Sequence, residues 1–160
     1  MKQTVLLLLI ALFGLSRNSW AQAPAEVAAT TMNFCGVELP VESGCTPESK
    51  YALNCGNYQL NWMYLDFSLM KTYPQQFIKQ AEKKHKGTEK QPLECSILGG
   101  PMTQGIRLSY PTETGGMAYE LIVFGAAKGQ PVLVDVVLPT DPEKTADLPL
   151  TVQKILQLSK

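Results

Sequence analysis

Neither sign of charge is in excess in this 160-residue chain, where 14 Lys and Arg meet 14 Asp and Glu. Nucleic-acid binders usually carry a basic surplus to neutralise phosphates, so no nucleic-acid partner is expected. Histidine occurs once, at His85, which leaves no multi-histidine metal centre to build. The G-x-S-x-G, H-E-x-x-H, G-x-G-x-x-G and EF-hand patterns are all missing. Gly99-Gly100 and Gly105 come nearest to a phosphate loop, but no Gly-Lys-Ser/Thr follows and the segment leads into a strand, so it reads as a turn. No metal and no cofactor is expected on these grounds. What is there is the composition of one globular domain. Apolar residues make up 45% of the chain, and at this length a single core buries about two thirds of the unfolded surface.

Long apolar runs are also scarce. Val5 to Leu15 is the only one, and at about 1.5 Å per residue it reaches roughly 16 Å, about half of a 30 Å hydrocarbon core. With Lys2 before it and Ser19-Trp20-Ala21 after it, residues 1–21 read as a secretory signal peptide cut after Ala21. A cut after Ala23 would leave Pro24 at the new terminus, which signal peptidases generally reject; a cut after Ala25 is the alternative. Residues 22–31 read as a flexible leader of small residues, and 32–160 as a single domain. The processed chain carries 12 basic and 14 acidic side chains. It is expected to be exported, periplasmic or secreted, with no integral membrane segment.

All four cysteines fall in that domain, and an even number in an exported chain is read first as disulfides. Cys45 and Cys55 flank the polar stretch Thr46-Pro47-Glu48-Ser49-Lys50 and form the preferred pair. Cys35 and Cys95 are then either a second disulfide or two reduced, buried small hydrophobes on the apolar faces of strands. No C-x-x-C is present for thiol exchange, and the spacings match no common zinc site.

Hydrophobic period and turn residues predict strands at 32–40, 57–65, 93–98, 104–110, 117–125 and 130–138. In the second of these, Tyr58, Leu60, Trp62 and Tyr64 share a face, which makes them core rather than a stacking platform. A helix is predicted over 73–86, capped by Thr72, with Pro74 in its first turn and Gly87 as its stop. A closing helix is predicted from Pro149 to Leu158, capped by Asp147. Short turns between the strands imply antiparallel pairing. The expected fold class is α+β, a mainly antiparallel β-sheet packed by two helices.

The stretch Tyr119-Glu-Leu-Ile-Val, then Gln130-Pro-Val-Leu-Val-Asp-Val-Val-Leu, then Leu148-Pro and Val152-Gln-Lys-Ile-Leu-Gln-Leu-Ser resembles the end of a PsbP/Mog1-like domain. The start, Phe34-Cys-Gly-Val-Glu-Leu-Pro, and the element order resemble it too. The likeness covers residues 32–158 in outline and includes no catalytic or ligand motif. It implies a non-catalytic α/β/α sandwich that docks onto a partner protein.

The remaining candidates are charged side chains. Lys79, Lys83, Lys84, His85, Lys86 and Lys90 form a basic run that is either a docking patch or a solvated helix end favoured by the helix dipole. Period 2 turns Asp135 and Arg107 outward from their strands, with Glu120 as a cross-strand partner for Arg107. The expected function is a non-enzymatic protein-binding or accessory domain, such as an envelope factor or an immunity-type protein. Two alternatives stand beside it. One is an exported hydrolase using scattered carboxylates such as Asp66, Glu94, Glu113, Glu120 or Asp135, which requires two of them to converge. The other is a small-molecule binder, which requires an apolar pocket with a few convergent polar groups.

Overall fold

The computed structural model describes residues 31–159, so the expected signal peptide and all of the expected leader except Thr31 lie outside the described residues. Strands β1 (Thr31–Phe34) and β2 (Val37–Pro40) form a hairpin. Then come β3 (Thr46–Ser49), β4 (Ala52–Asn54), β5 (Gln59–Tyr64), α1 (Tyr73–Lys84), β6 (Glu89–Ile97), β7 (Met102–Pro111), β8 (Met117–Ala127) and β9 (Gln130–Leu138). The chain closes with α2 (Leu150–Ile155) and β10 (Leu156–Leu158). Strands β3 to β10 make one antiparallel sheet in the order β10-β6-β7-β8-β9-β5-β4-β3. The α+β class, mainly antiparallel with two helices, is therefore as expected.

Period 2 sorts the strands onto two faces. Leu60, Trp62, Leu121, Val123, Val134 and Val136 point to one face, which α2 and the β1–β2 hairpin cover with Val152, Ile155 and Phe34. Leu108, Tyr110, Ile122 and Leu133 point to the other, which α1 covers with Ile78 and Ala81. The two helices thus lie on opposite faces of the sheet. The long connection from β5 to β6 explains the position of α1. Those strands are separated in the sheet by β9, β8 and β7, and the helix crosses over the ground between them. At Gly105 a Cβ would stand 2.8 Å from the Ile122 carbonyl oxygen, so only glycine lets β7 and β8 approach this closely.

Several expectations change. The strand predicted over 32–40 is a hairpin, turned by Cys35 (φ 51°) and Gly36 (φ 77°). Two successive positive φ values match the right-handed twist of paired strands, and cysteine is not a usual residue for that turn. The polar Thr46–Lys50 stretch, read as loop, supplies edge strand β3, whose four residues are all exposed. Helix α1 has Pro74 in its first turn as predicted, but Thr72 makes no side-chain cap bond. It ends at Lys84 rather than residue 86 because His85 is already extended. The closing helix stops at Ile155, and residues 156–158 instead pair with β6 as β10. Asp147 does not cap that helix; its carboxylate accepts from the Glu143 and Lys144 amides, each at 3.1 Å, in a 3-10 turn. At α2 the Thr151 amide donates to Glu42 Oε1 at 2.7 Å, placing an acid where the helix dipole favours one.

Candidate functional site

Cys45 and Cys55 form the disulfide that their spacing suggested. Cys35 and Cys95 are free thiols in this structure, Cys95 buried on its strand and Cys35 only partly buried. Cys35 sits in the β1–β2 turn, where its amide donates to Tyr64 Oη at 2.9 Å on β5, whereas Cys95 lies in β6, with three strands between. Burial pushes the Cys95 thiol up to about 11 and raises that of Cys35 as well, offset there by a hydrogen bond with Tyr64. Neither is an activated nucleophile.

The basic run gathers where α1 ends and β6 begins. Lys79, Lys83, Lys84 and Lys86 are exposed, and Lys90 is ion-paired with Glu82 on the helix. His85 is half-buried, and its ring stacks on Tyr110 at 3.7 Å between centroids. Burial, then the charge of Lys84, holds its pKa below the usual 6.5.

Asp135 departs furthest from expectation. It does not face water, because its face of β9 is the one that α1 covers, and only 9% of it is exposed. Glu120, 6% exposed, lies on the same face of β8. The register pairs Ile122 with Asp135 and Glu120 with Val137, which makes the two acids diagonal neighbours on adjacent strands. Arg107 is not the partner of Glu120. It stands opposite Leu121, on the other face, and is held by Asp141 at 2.5 Å and by Gln91.

A polar line therefore runs under the helix across four strands. Asn61 Nδ2 on β5 donates to Asp135 Oδ2 on β9 at 3.4 Å, Glu120 follows on β8, then Tyr110 on β7, and His85 stacks on Tyr110. Burial, followed by the charge of and hydrogen bonding with Asp135, pushes Glu120 up to about 8. Burial likewise raises Asp135, against the favourable effects of Glu120, Asn61 and Lys84. Tyr110 is pushed up to about 12 by burial and by the two acids. Near neutral pH this pair holds at least one proton, because two adjacent buried carboxyls cannot both ionise cheaply. The arrangement can store and share a proton. Convergence of two carboxyls is the condition set for the hydrolase reading; both lie beneath α1, and of the two only Asp135 lines a cavity, one of about 190 Å³. Asp66, Glu94 and Glu113 are exposed, and none belongs to this line. Among the described residues no group of three or more His, Cys, Asp or Glu could hold a metal ion.

A second feature lies at the β3 end of the sheet. A groove of about 360 Å³ runs between β1 and the β3–β4 hairpin, lined by Met32, Pro47, Tyr51, Leu53, Trp62 and Tyr64. Tyr51 meets Trp62 and Tyr64 edge-on, at 6.1 and 5.6 Å between ring centroids. Both β1 and β3 are edge strands, each paired on one side only. The Trp62 indole N–H is buried with no acceptor among the described residues, and Thr31, Asn33, Ser49 and Lys50 add polar groups to the groove. Tyr51 and β3 escaped the sequence reading because their segment is polar and short.

Compared with known proteins, the chain matches no family model and no curated sequence. Among the described residues no helix is long and apolar enough to cross a membrane.

Proposed function

We propose that the chain is an exported, non-enzymatic binding domain of the PsbP/Mog1-like kind that docks on a partner protein, in the role of an envelope accessory factor or an immunity-type protein. The aromatic groove between the β1 and β3 edges carries this reading. Edge strands offer unpaired backbone groups to an incoming extended segment, and the Tyr51-Trp62-Tyr64 cluster offers apolar area with little side-chain entropy to lose. The disulfide supports an oxidising, exported setting, in line with the signal peptide expected from residues 1–21. Helices on opposite faces of the sheet support the sandwich resemblance.

Native mass spectrometry of the processed protein, isolated gently from its own exporting cells, tests the reading. A stoichiometric protein partner is expected on the wild type and on a Lys79→Ala control, and is expected to be lost in Tyr51→Glu, which puts a charge into the groove. A bare monomer throughout overturns docking, and a partner retained by Tyr51→Glu removes the groove from it.

A further inference from the structure

One end of the main sheet gathers exposed apolar side chains. By register, the C-terminal ends of β5, β6 and β8 meet the N-terminal ends of β7 and β9 there. In strand order, that end presents the β6–β7 turn, the β8–β9 turn and the loop from β5 to α1 in succession. Met102, just after the first turn, is 59% exposed, and Phe67 in the loop is 71% exposed, with Leu69 exposed beside it. The loop is not slack. The Leu65 amide donates to the Pro131 carbonyl, the Leu69 amide to Asp66 and the Tyr73 amide to Leu69, each at 2.9 Å. A backbone held in successive turns leaves Phe67 and Leu69 in water, although burying them would be favourable.

Charge at this end has one dominant sign. Lys50 in the β3–β4 turn, Lys71 in the loop and Lys128 in the β8–β9 turn are exposed, with Asp66 as the acid of these connections. Lys128 stands at φ 50°, a turn position that Asn, Asp or Gly fills with less strain, and it puts a cation at that tip. Apolar tips among cations match an anionic lipid surface, where the apolar groups enter the acyl boundary and the ammonium groups stay with the headgroups. A second copy matches poorly, because a two-fold contact through this end would set the lysines against their own twins. None of the exposed large apolar residues lies on α1 or in the turn after it, where the other lysine cluster stands.

We propose that this end of the sheet is a peripheral docking surface for anionic lipid bilayers, with Phe67, Leu69 and Met102 entering the interface and Lys71 and Lys128 holding headgroups. The surface is distinct from the aromatic groove and does not depend on it.

The processed protein is sedimented with phosphatidylcholine vesicles, with and without about 30% phosphatidylglycerol, at about 50 and 300 mM salt. Binding is expected on the anionic vesicles and should weaken at the higher salt. Each lysine near an anionic leaflet strengthens binding about fivefold, so Lys71→Ala with Lys128→Ala should weaken it about 25-fold. Phe67→Ser with Met102→Ser should weaken it by at least about tenfold, and Lys83→Ala with Lys86→Ala on the helix side by less than about threefold. All six side chains are exposed, and circular dichroism of each variant shows that it has folded. Emission from Phe67→Trp should shift to the blue on anionic vesicles. No binding to anionic vesicles at low salt, wild-type binding by Phe67→Ser with Met102→Ser, or a loss confined to Lys83→Ala with Lys86→Ala would each overturn the proposal. So would a vesicle-free dimer that Phe67→Ser dissolves while the vesicles take up nothing, which makes this end a contact between copies.

Discussion

Replacing Glu120 by glutamine should make the protein more stable, and increasingly so as the pH rises. In the folded chain Glu120 keeps its proton up to about pH 8, whereas its usual value is 4.5. Between those values the unfolded chain has released a proton that the folded chain still binds, so stability falls with rising pH across that window and levels off above it. The sign is opposite to that of an ordinary salt-bridged carboxylate. At 1.36 kcal/mol per pH unit the gap caps the loss at about 5 kcal/mol. Partial solvent screening and proton sharing with Asp135 reduce this to about 2 to 3 kcal/mol. Glutamine preserves the shape and can still donate to Asp135, but has no proton to lose. The groups facing the site are Asp135 from β9, Tyr110 from β7, Asn61 from β5 and Lys84 from α1, with His85 behind Tyr110. His85 titrates below 6.5 and Tyr110 only near 12, so between pH 7 and 9 the other shifted groups are the thiols of Cys95 and Cys35, which act equally in wild type and variant. Urea denaturation followed by tryptophan fluorescence at pH 7, 8 and 9 should show wild-type stability declining and the Glu120→Gln slope reduced to what Asp135 and the thiols contribute. Equal slopes in the two proteins would refute the argument, because Glu120 would then titrate alike in both states.

Three further outcomes follow from the same geometry. Gly105→Ala forces a Cβ to within 2.8 Å of the Ile122 carbonyl oxygen, and should destabilise by about 1 to 3 kcal/mol in chemical denaturation. Reducing the Cys45–Cys55 disulfide, which closes a short loop, should cost about 3 kcal/mol, read as a lower urea midpoint with reductant present. Maleimide labelling of the unreduced native protein should modify the half-exposed Cys35 readily and the buried Cys95 only after unfolding; two equally fast thiols, or none, would contradict the assignment.

Much of the sheet was legible because strands with one dominant apolar face announce themselves. Strand β9 was placed at 130–138, and the alternation of Leu60 and Trp62 against Asn61 and Met63 is the one observed. The acid line was not read, although its signal was present. On the Asp135 side of β9 the flanking residues are Leu133 and Val137, both apolar, which marks a strand covered on both faces rather than one turned to water. The stronger apolar series Val132, Val134, Val136 and Leu138 on the other face masks it. The groove was illegible for a different reason. It is made by strands of three and four residues, and segments this short carry no period; their pairing is set by the disulfide and by Tyr64 reaching back to the Cys35 amide. Likewise Leu156 suits a helix face and a strand face equally, so tertiary contact with β6 decided the end of the chain.

The β5–β9 ladder has a consequence for how the molecule is assembled in time. Every strand from β3 to β5 reaches the rest of the sheet through that one seam, which joins residues 74 positions apart at Asn61 and Asp135. Until β9 has been synthesised, the N-terminal strands can pack only on one another, as Phe34 does on Trp62, and cannot join the main sheet; contacts this distant in sequence form slowly. A polypeptide that must be threaded through a translocation pore before it folds is served by such a delay. On the export reading, the same ladder that completes the structure also works as a timer, keeping the chain pliable until its later strands have been made.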